Sequence, residues 1–122
     1  TPPCWCIYML GLVLDWLEEK GGVEGMEAIK HGKARMLYDT IDASRLFTCA
    51  VEKDSRSDMN VVFRTASEEL DAKFVKESVD AGFTNLKGHR SVGGMRASIY
   101  NAMPVEGVEK LCDFIRAFDK NN

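Results

Sequence analysis

Between Lys87 and Asn101 the chain reads KGHRSVGGMRASIYN, which sets His89, Arg90 and Arg96 around the pair Gly93-Gly94, just ahead of a strand-like run. A guanidinium group offers a planar fork of N–H donors that matches a carboxylate or phosphate with two parallel charge-assisted hydrogen bonds, where an ammonium offers only a point charge. The two glycines lack Cβ atoms, so the turn between the arginines can take positive φ or bring its backbone close to a ligand. The chemistry these residues suit is anion binding. On residue types alone the segment also describes a surface turn with two solvated arginines, because one loop does not complete a site.

The loop must be held by the elements around it. Alternation places Arg96, Ser98 and Tyr100 on one face of the following strand and Ala97 and Ile99 on the other. Pro104 then starts a helix in which Val108, Leu111, Cys112 and Ile115 fall at i, i+3, i+4, i+7. Upstream, the SEEL segment opens a helix capped by Ser67 or Thr65, with Leu70, Phe74, Val75 and Val79 as its buried stripe and Gly82 at its end. Leu46–Val51 and Met59–Arg64 read as an antiparallel strand pair joined by the polar turn Glu52–Asp58, and Phe83–Leu86 as a short strand. A helix over residues 23–43 puts Met26, Ile29, Leu37 and Ile41 on one stripe and Lys30, Lys33 and Arg35 away from it.

The first helix, from about Pro3 to Lys20 with Gly21-Gly22 as its stop, is apolar nearly all round. Trp5, Ile7, Tyr8, Leu10, Leu12, Val13, Leu14, Trp16 and Leu17 cover more than one face, so it is either the central core helix of a self-sufficient domain or a linker helix packed against a second domain. The order α-α-β-β-α-β-β-α with short connections predicts an α+β two-layer domain, a mainly antiparallel sheet of three to four strands with helices on one face.

Other candidates have plainer readings. Arg56 and Arg64 flank the Met59–Phe63 strand and could join an anion site, but read as exposed strand-edge arginines. Asn60 and Asn101 are explained by hydrogen bonds to turn backbone. His31, without a partner at ligand spacing, reads as a surface histidine. Glu18-Glu19 and Glu68-Glu69 are neighbours that point to different sides of a helix, so no acid–base dyad is read from them.

Composition bounds the function classes. The 122 residues make one domain with one core, carrying a net charge of −3. That balance opposes non-specific nucleic-acid binding, which draws on broad basic surfaces. Cys4, Cys6, Cys49 and Cys112 show no C-x-x-C pair and no zinc spacing; they read as reduced, mostly buried thiols. The longest apolar run, Cys4–Leu14, is well short of the roughly 18 residues of a membrane span.

The stretch NLKGHRSVGGMRASIYNAMP (Asn85–Pro104) resembles the C-terminal signature of phosphoserine aminotransferases, pyridoxal-phosphate enzymes of the fold-type I, class V group. SRSDMNVVFR (Ser55–Arg64) is similar to that family's central strand, and TPPCWCIYMLGLVLDWLEEKGG (Thr1–Gly22) to the linker helix after its Asn-Thr-Pro motif. SRLFTCAV (Ser44–Val51) departs from the usual glycine-containing version, and Val62 stands where Pro is common. The resemblance implies that residues 1–122 form the C-terminal small domain, 1–22 being the linker helix, of a longer, homodimeric, cytoplasmic enzyme of serine biosynthesis. Any targeting leader would precede Thr1, and the missing initiator methionine agrees with an excised piece. By resemblance Arg96 grips the substrate α-carboxylate, His89 and Arg90 recognise the phosphate of phosphoserine, and Thr1 contacts the phosphate of pyridoxal 5′-phosphate. The implied substrates are phosphoserine, glutamate and their keto acids. The Schiff-base lysine, the aromatic residue stacked on the cofactor and the acid pairing with the pyridine nitrogen belong to a large domain and are not in this chain. No catalytic or metal-binding residue is therefore expected here, nor any nucleic-acid or membrane partner, and the isolated chain is expected to be inactive. The competing reading is a stand-alone regulatory module that binds an acidic metabolite through Arg90 and Arg96.

Overall fold

A computed structural model describes all of residues 1–122. Its elements are the helices α1 (Cys4–Glu19) and α2 (Gly22–Asp42), a 3-10 turn at Lys53–Ser55, the strand β1 (Asn60–Phe63), α3 (Glu68–Asp80), β2 (Met95–Ser98) and α4 (Val105–Asn121). The fold is α+β, as the alternation of patterns predicts. β1 and β2 are antiparallel, with Asn60 opposite Ser98, Val62 opposite Arg96 and Phe63 opposite Met95. Val61, Phe63, Met95 and Ala97 turn inward and are buried, while Val62 and Arg96 lie side by side on the outer face.

The core fills the space between the inner sheet face and α2, α3 and α4. Its centre is aromatic: Phe47 and Phe74 pack edge to face with ring centroids 5.0 Å apart, and Phe74 meets Phe118 likewise at 5.2 Å. The expected stripe of α4 is buried and Phe118 extends it. Ser67 caps α3, its hydroxyl accepting from the Leu70 N–H at 3.2 Å.

Several expectations need correction. The ladder has two strands rather than three or four. The outer segments come abreast but pair only at single bridges, Thr48 with Arg64 and Lys87 with Met95. The first is held by another element, Ser44 Oγ and the backbone N–H groups of Arg45 and Leu46 bonding Asp119 on α4. The second is held at its bridge by Gly88 N donating to Gly94 O and Arg96 N donating to Leu86 O, each at 2.8 Å, and then turns into the loop closed on His89 O. On α3, Val79 is 58 % exposed and Ser78 takes the core position, its hydroxyl donating to Val75 O at 2.7 Å. That local bond lets a polar side chain face the core without loss.

Lys33 is 1 % exposed, against its expected solvent-facing place, and Ile29 is the exposed one. Lys33 Nζ donates to the carbonyls of Tyr100, Asn101 and Met103 at 2.8, 3.3 and 2.9 Å, a complete set for an ammonium group. It ties the end of the β2 segment to α2. Cys4 and Cys6 are exposed rather than buried, because no other element covers α1 before Trp16.

Candidate anion-binding site

β2 fixes Arg96 on the outer sheet face, and the loop before it folds back over the same face. The loop is closed by its own backbone: His89 O accepts from the N–H groups of Val92 and Gly93 at 2.9 and 2.8 Å, and Gly88 N donates to Gly94 O. Gly93 and Gly94 have φ of +77° and +64°, the left-handed region that their lack of Cβ permits. A Cβ on Gly94 would stand 2.8 Å from Phe63 O, and one on Gly88 would stand 2.2 Å from Gly93 O. The glycines thus let the loop lie directly on the end of β1.

The loop divides two concavities. One, of about 240 Å³, lies over the sheet and is lined by Arg96, His89, Arg64, Val62 and Ala50 among others. No Asp or Glu lines it. The other, of about 710 Å³, lies between the loop and α3; Arg90, Lys87 and Lys76 line it together with Glu68, Asp71 and Asp80. His89 borders both. The structure therefore joins Arg96 and His89 on one cleft and sets Arg90 on the neighbouring one.

The site side chains keep donors available. Arg96 Nε is shielded from solvent and has no hydrogen-bond partner in the protein. A buried guanidinium N–H without an acceptor costs free energy, so Arg96 is not fully satisfied from within the protein. His89 Nδ1 lies 2.7 Å from Ser91 Oγ, which leaves Nε2 as the outward nitrogen. Thr1 is exposed at the chain terminus, away from both clefts.

The remaining candidates separate clearly. Arg56 is not an exposed edge arginine: its side chain is 13 % exposed, forks onto both Asp42 oxygens at 2.8 Å and lies over the Tyr38 ring at 4.6 Å. The Arg56 guanidinium holds the Asp42 carboxyl below its usual range. That fork is filled from within, so Arg56 joins no ligand site. His31 does have carboxylate partners, Asp58 Oδ2 at 2.7 Å and Glu27 Oε1 at 3.5 Å, one brought in by the fold and one four residues earlier on the same helix. Asn60 Oδ1 accepts from Ser98 Oγ, a bond between strands rather than to a turn, and Asn101 Oδ1 is buried without a partner.

Arg64, by residue type an exposed strand-edge arginine, stands in the fold beside the residues of the candidate site. Its backbone forms the Thr48 bridge, its Nη2 donates to Val92 O at 2.7 Å, and it lines both concavities. The signal was in the alternation: with Phe63 facing the core, Val62 and Arg64 must face outward with Arg96.

Comparison with known proteins bears on this site. The family model described as aminotransferase class-V matches residues 1–111. The chain is 55 % identical over its whole length to a phosphoserine aminotransferase of Lactococcus lactis subsp. cremoris, covering 34 % of that protein. It is 56 % identical over 97 % of its length to one from Listeria monocytogenes, covering 32 % of it. The chain thus spans about a third of the length of the curated relatives it matches. Among solved structures, a phosphoserine aminotransferase from Bacillus circulans subsp. alkalophilus superposes with a TM-score of 0.96 at 53 % identity, over 99 % of this chain and 34 % of that one. A pyridoxal-phosphate-bound phosphoserine aminotransferase from Trichomonas vaginalis gives 0.88 at 38 % identity, over 95 % and 34 %.

Proposed function

The chain belongs to the class-V aminotransferase family, and from that premise we propose that it is the C-terminal small domain of a phosphoserine transaminase, residues 1–22 being the helix that links it to a cofactor-binding large domain. The reaction is exchange of an amino group between phosphoserine with 2-oxoglutarate and 3-phosphohydroxypyruvate with glutamate, in a cytoplasmic homodimer. The observation that carries this reading is the cleft in which Arg96 and His89 meet with no carboxylate in its wall. Substrates with an anion at each end need cationic groups at both, and such a cleft favours them over neutral amino acids.

Within it, Arg96 grips the α-carboxylate. A bidentate fork fixes both position and rotation of the substrate, which transamination needs because one bond at Cα must be aligned before it can break. His89 and Arg90 hold the distal phosphate, His89 reaching it from the shared cleft and Arg90 from the loop's other side. Pyridoxal 5′-phosphate, when bound, supplies the electron sink for that bond cleavage. Thr1, whose hydroxyl stands exposed, would offer its phosphate a donor; the arginine cleft suits the substrate's oxyanions. The chain's own work is binding and orientation.

The test compares kcat/KM for phosphoserine and glutamate in the longer enzyme. Arg96→Lys keeps the charge and loses the fork, so both substrates should weaken by about 1.5–3 kcal/mol, the range for hydrogen bonds to charged groups. Arg90→Ala and His89→Ala should act mainly on phosphoserine, whose α-carboxylate keeps Arg96. Equal losses on both substrates for Arg90→Ala and Arg96→Lys would refute this division of labour.

A further inference from the structure

We propose that Arg64 is a third anion-binding residue of the arginine cleft, one that gives it selectivity for a doubly charged phosphate over a carboxylate. The inference rests on reading that cleft as the site of the substrate's anions, and it adds a ligand which that reading leaves out.

Charge inventory is the first reason. The sheet-side cleft is bordered by Arg64, Arg96 and His89 and by no acidic residue, whereas the concavity that takes Arg90, which Arg64 and His89 also border, is lined by Glu68, Asp71 and Asp80 as well. Two permanent positive charges in a small, acid-free cleft favour a dianion more than a monoanion. If only Arg96 and His89 served the cleft, its one permanent charge would be committed to the α-carboxylate.

Position is the second reason. Arg64 is fixed at its backbone by reciprocal bonds with Thr48, N to O at 2.9 Å and O to N at 2.8 Å. Nη2 is committed to Val92 O, and it passes close to Gly93, where an added Cβ would stand 3.6 Å from it. One of five N–H groups is used in that bond and the others make no hydrogen bond within the protein, so the guanidinium is both anchored and able to donate. The same bond ties the His89 loop to the end of β1, so the cation and the loop it serves move together.

The experiment uses the longer transaminase and three readouts: the inhibition constant of inorganic phosphate, kcat/KM for phosphoserine and for glutamate, and the melting temperature. Arg64→Gln is the informative change, because it removes the charge and leaves a polar amide at the position, while the melting temperature reports the loss of the bond to Val92 O. Expected is a rise of about tenfold or more in the phosphate inhibition constant, the scale of one charged hydrogen bond, with a larger loss for phosphoserine than for glutamate and partial recovery in Arg64→Lys. Arg64→Gln with unchanged phosphate inhibition, or with equal losses on both amino acids, overturns the proposal while leaving the Arg96 site standing. A lowered melting temperature with the substrate ratio intact assigns Arg64 to the loop anchor alone and overturns it too. If Arg96→Lys affects neither amino acid, the reading of the cleft falls, and this inference with it.

Discussion

At the scale of single residues, Lys33 shows how a buried cation can serve geometry rather than chemistry. A lysine in a transaminase-like domain invites a covalent role, yet its Nζ is saturated by three carbonyls and lies in no cleft with Arg96. Burial lowers its pKa, while the three acceptors require all its protons. Two effects compete in Lys33→Met: recovered desolvation of the charge, and three carbonyls left without a donor. Removing a partner from buried polar groups costs about 1–3 kcal/mol, so we expect net destabilisation of that size, read as a lower urea midpoint. A Met variant as stable as the parent would mean the ammonium is dispensable and the carbonyls find water. The lysine was invisible to periodicity, which sorts it as polar; its partners lie 67–70 positions away in sequence. The glycines were legible for the opposite reason, since positive φ is a local demand.

Element by element, helices were easier to read than strands. Their caps and stripes are written within one turn, as Ser67 and the α4 stripe show, whereas the segment before Thr48 depends on where a distant carboxylate holds it. That carboxylate is Asp119. Burial raises its pKa, but hydrogen bonds from Ser44 Oγ and the Leu46 and Arg45 N–H groups outweigh that and leave it lowered. Asp42 is lowered chiefly by Arg56. A carboxylate whose folded pKa is depressed lends stability that is present above its unfolded value and lost as pH falls through the folded one. Tyr38 works at the other end: burial pushes it up to about 12, so its contribution is lost as pH rises from 10 toward that value. The denaturation midpoint should therefore fall below about pH 4, where unfolded carboxylates begin to bind protons, and again above pH 10. Asp119→Asn and Asp42→Asn should flatten the acid arm, and Tyr38→Phe the alkaline one. An Asp119→Asn acid slope equal to the parent's would sink the assignment of Asp119 as a stabilising tie.

For the whole molecule, the informative feature is what α1 does not touch. No residue of α1 is buried; Trp5 is 72 % exposed, and Ile7, Tyr8, Leu10, Leu12, Val13 and Leu14 are exposed with it. Its main packing partner is α2. The reading of α1 as the central core helix is thereby overturned: the core closes without it, between the sheet and α2, α3 and α4. A contiguous exposed apolar strip of this kind marks a packing surface, and the proposed enzyme offers its large domain as the cover. The 122-residue chain alone must then satisfy the strip otherwise. We expect it to self-associate at micromolar concentration and to bind a hydrophobic dye, with Leu10→Glu and Leu14→Lys reducing both without shifting the thermal transition of the core. The longer enzyme should bind little dye. A monodisperse, dye-silent chain would show that α1 folds back onto its own domain in solution and would remove the physical basis for treating it as a linker.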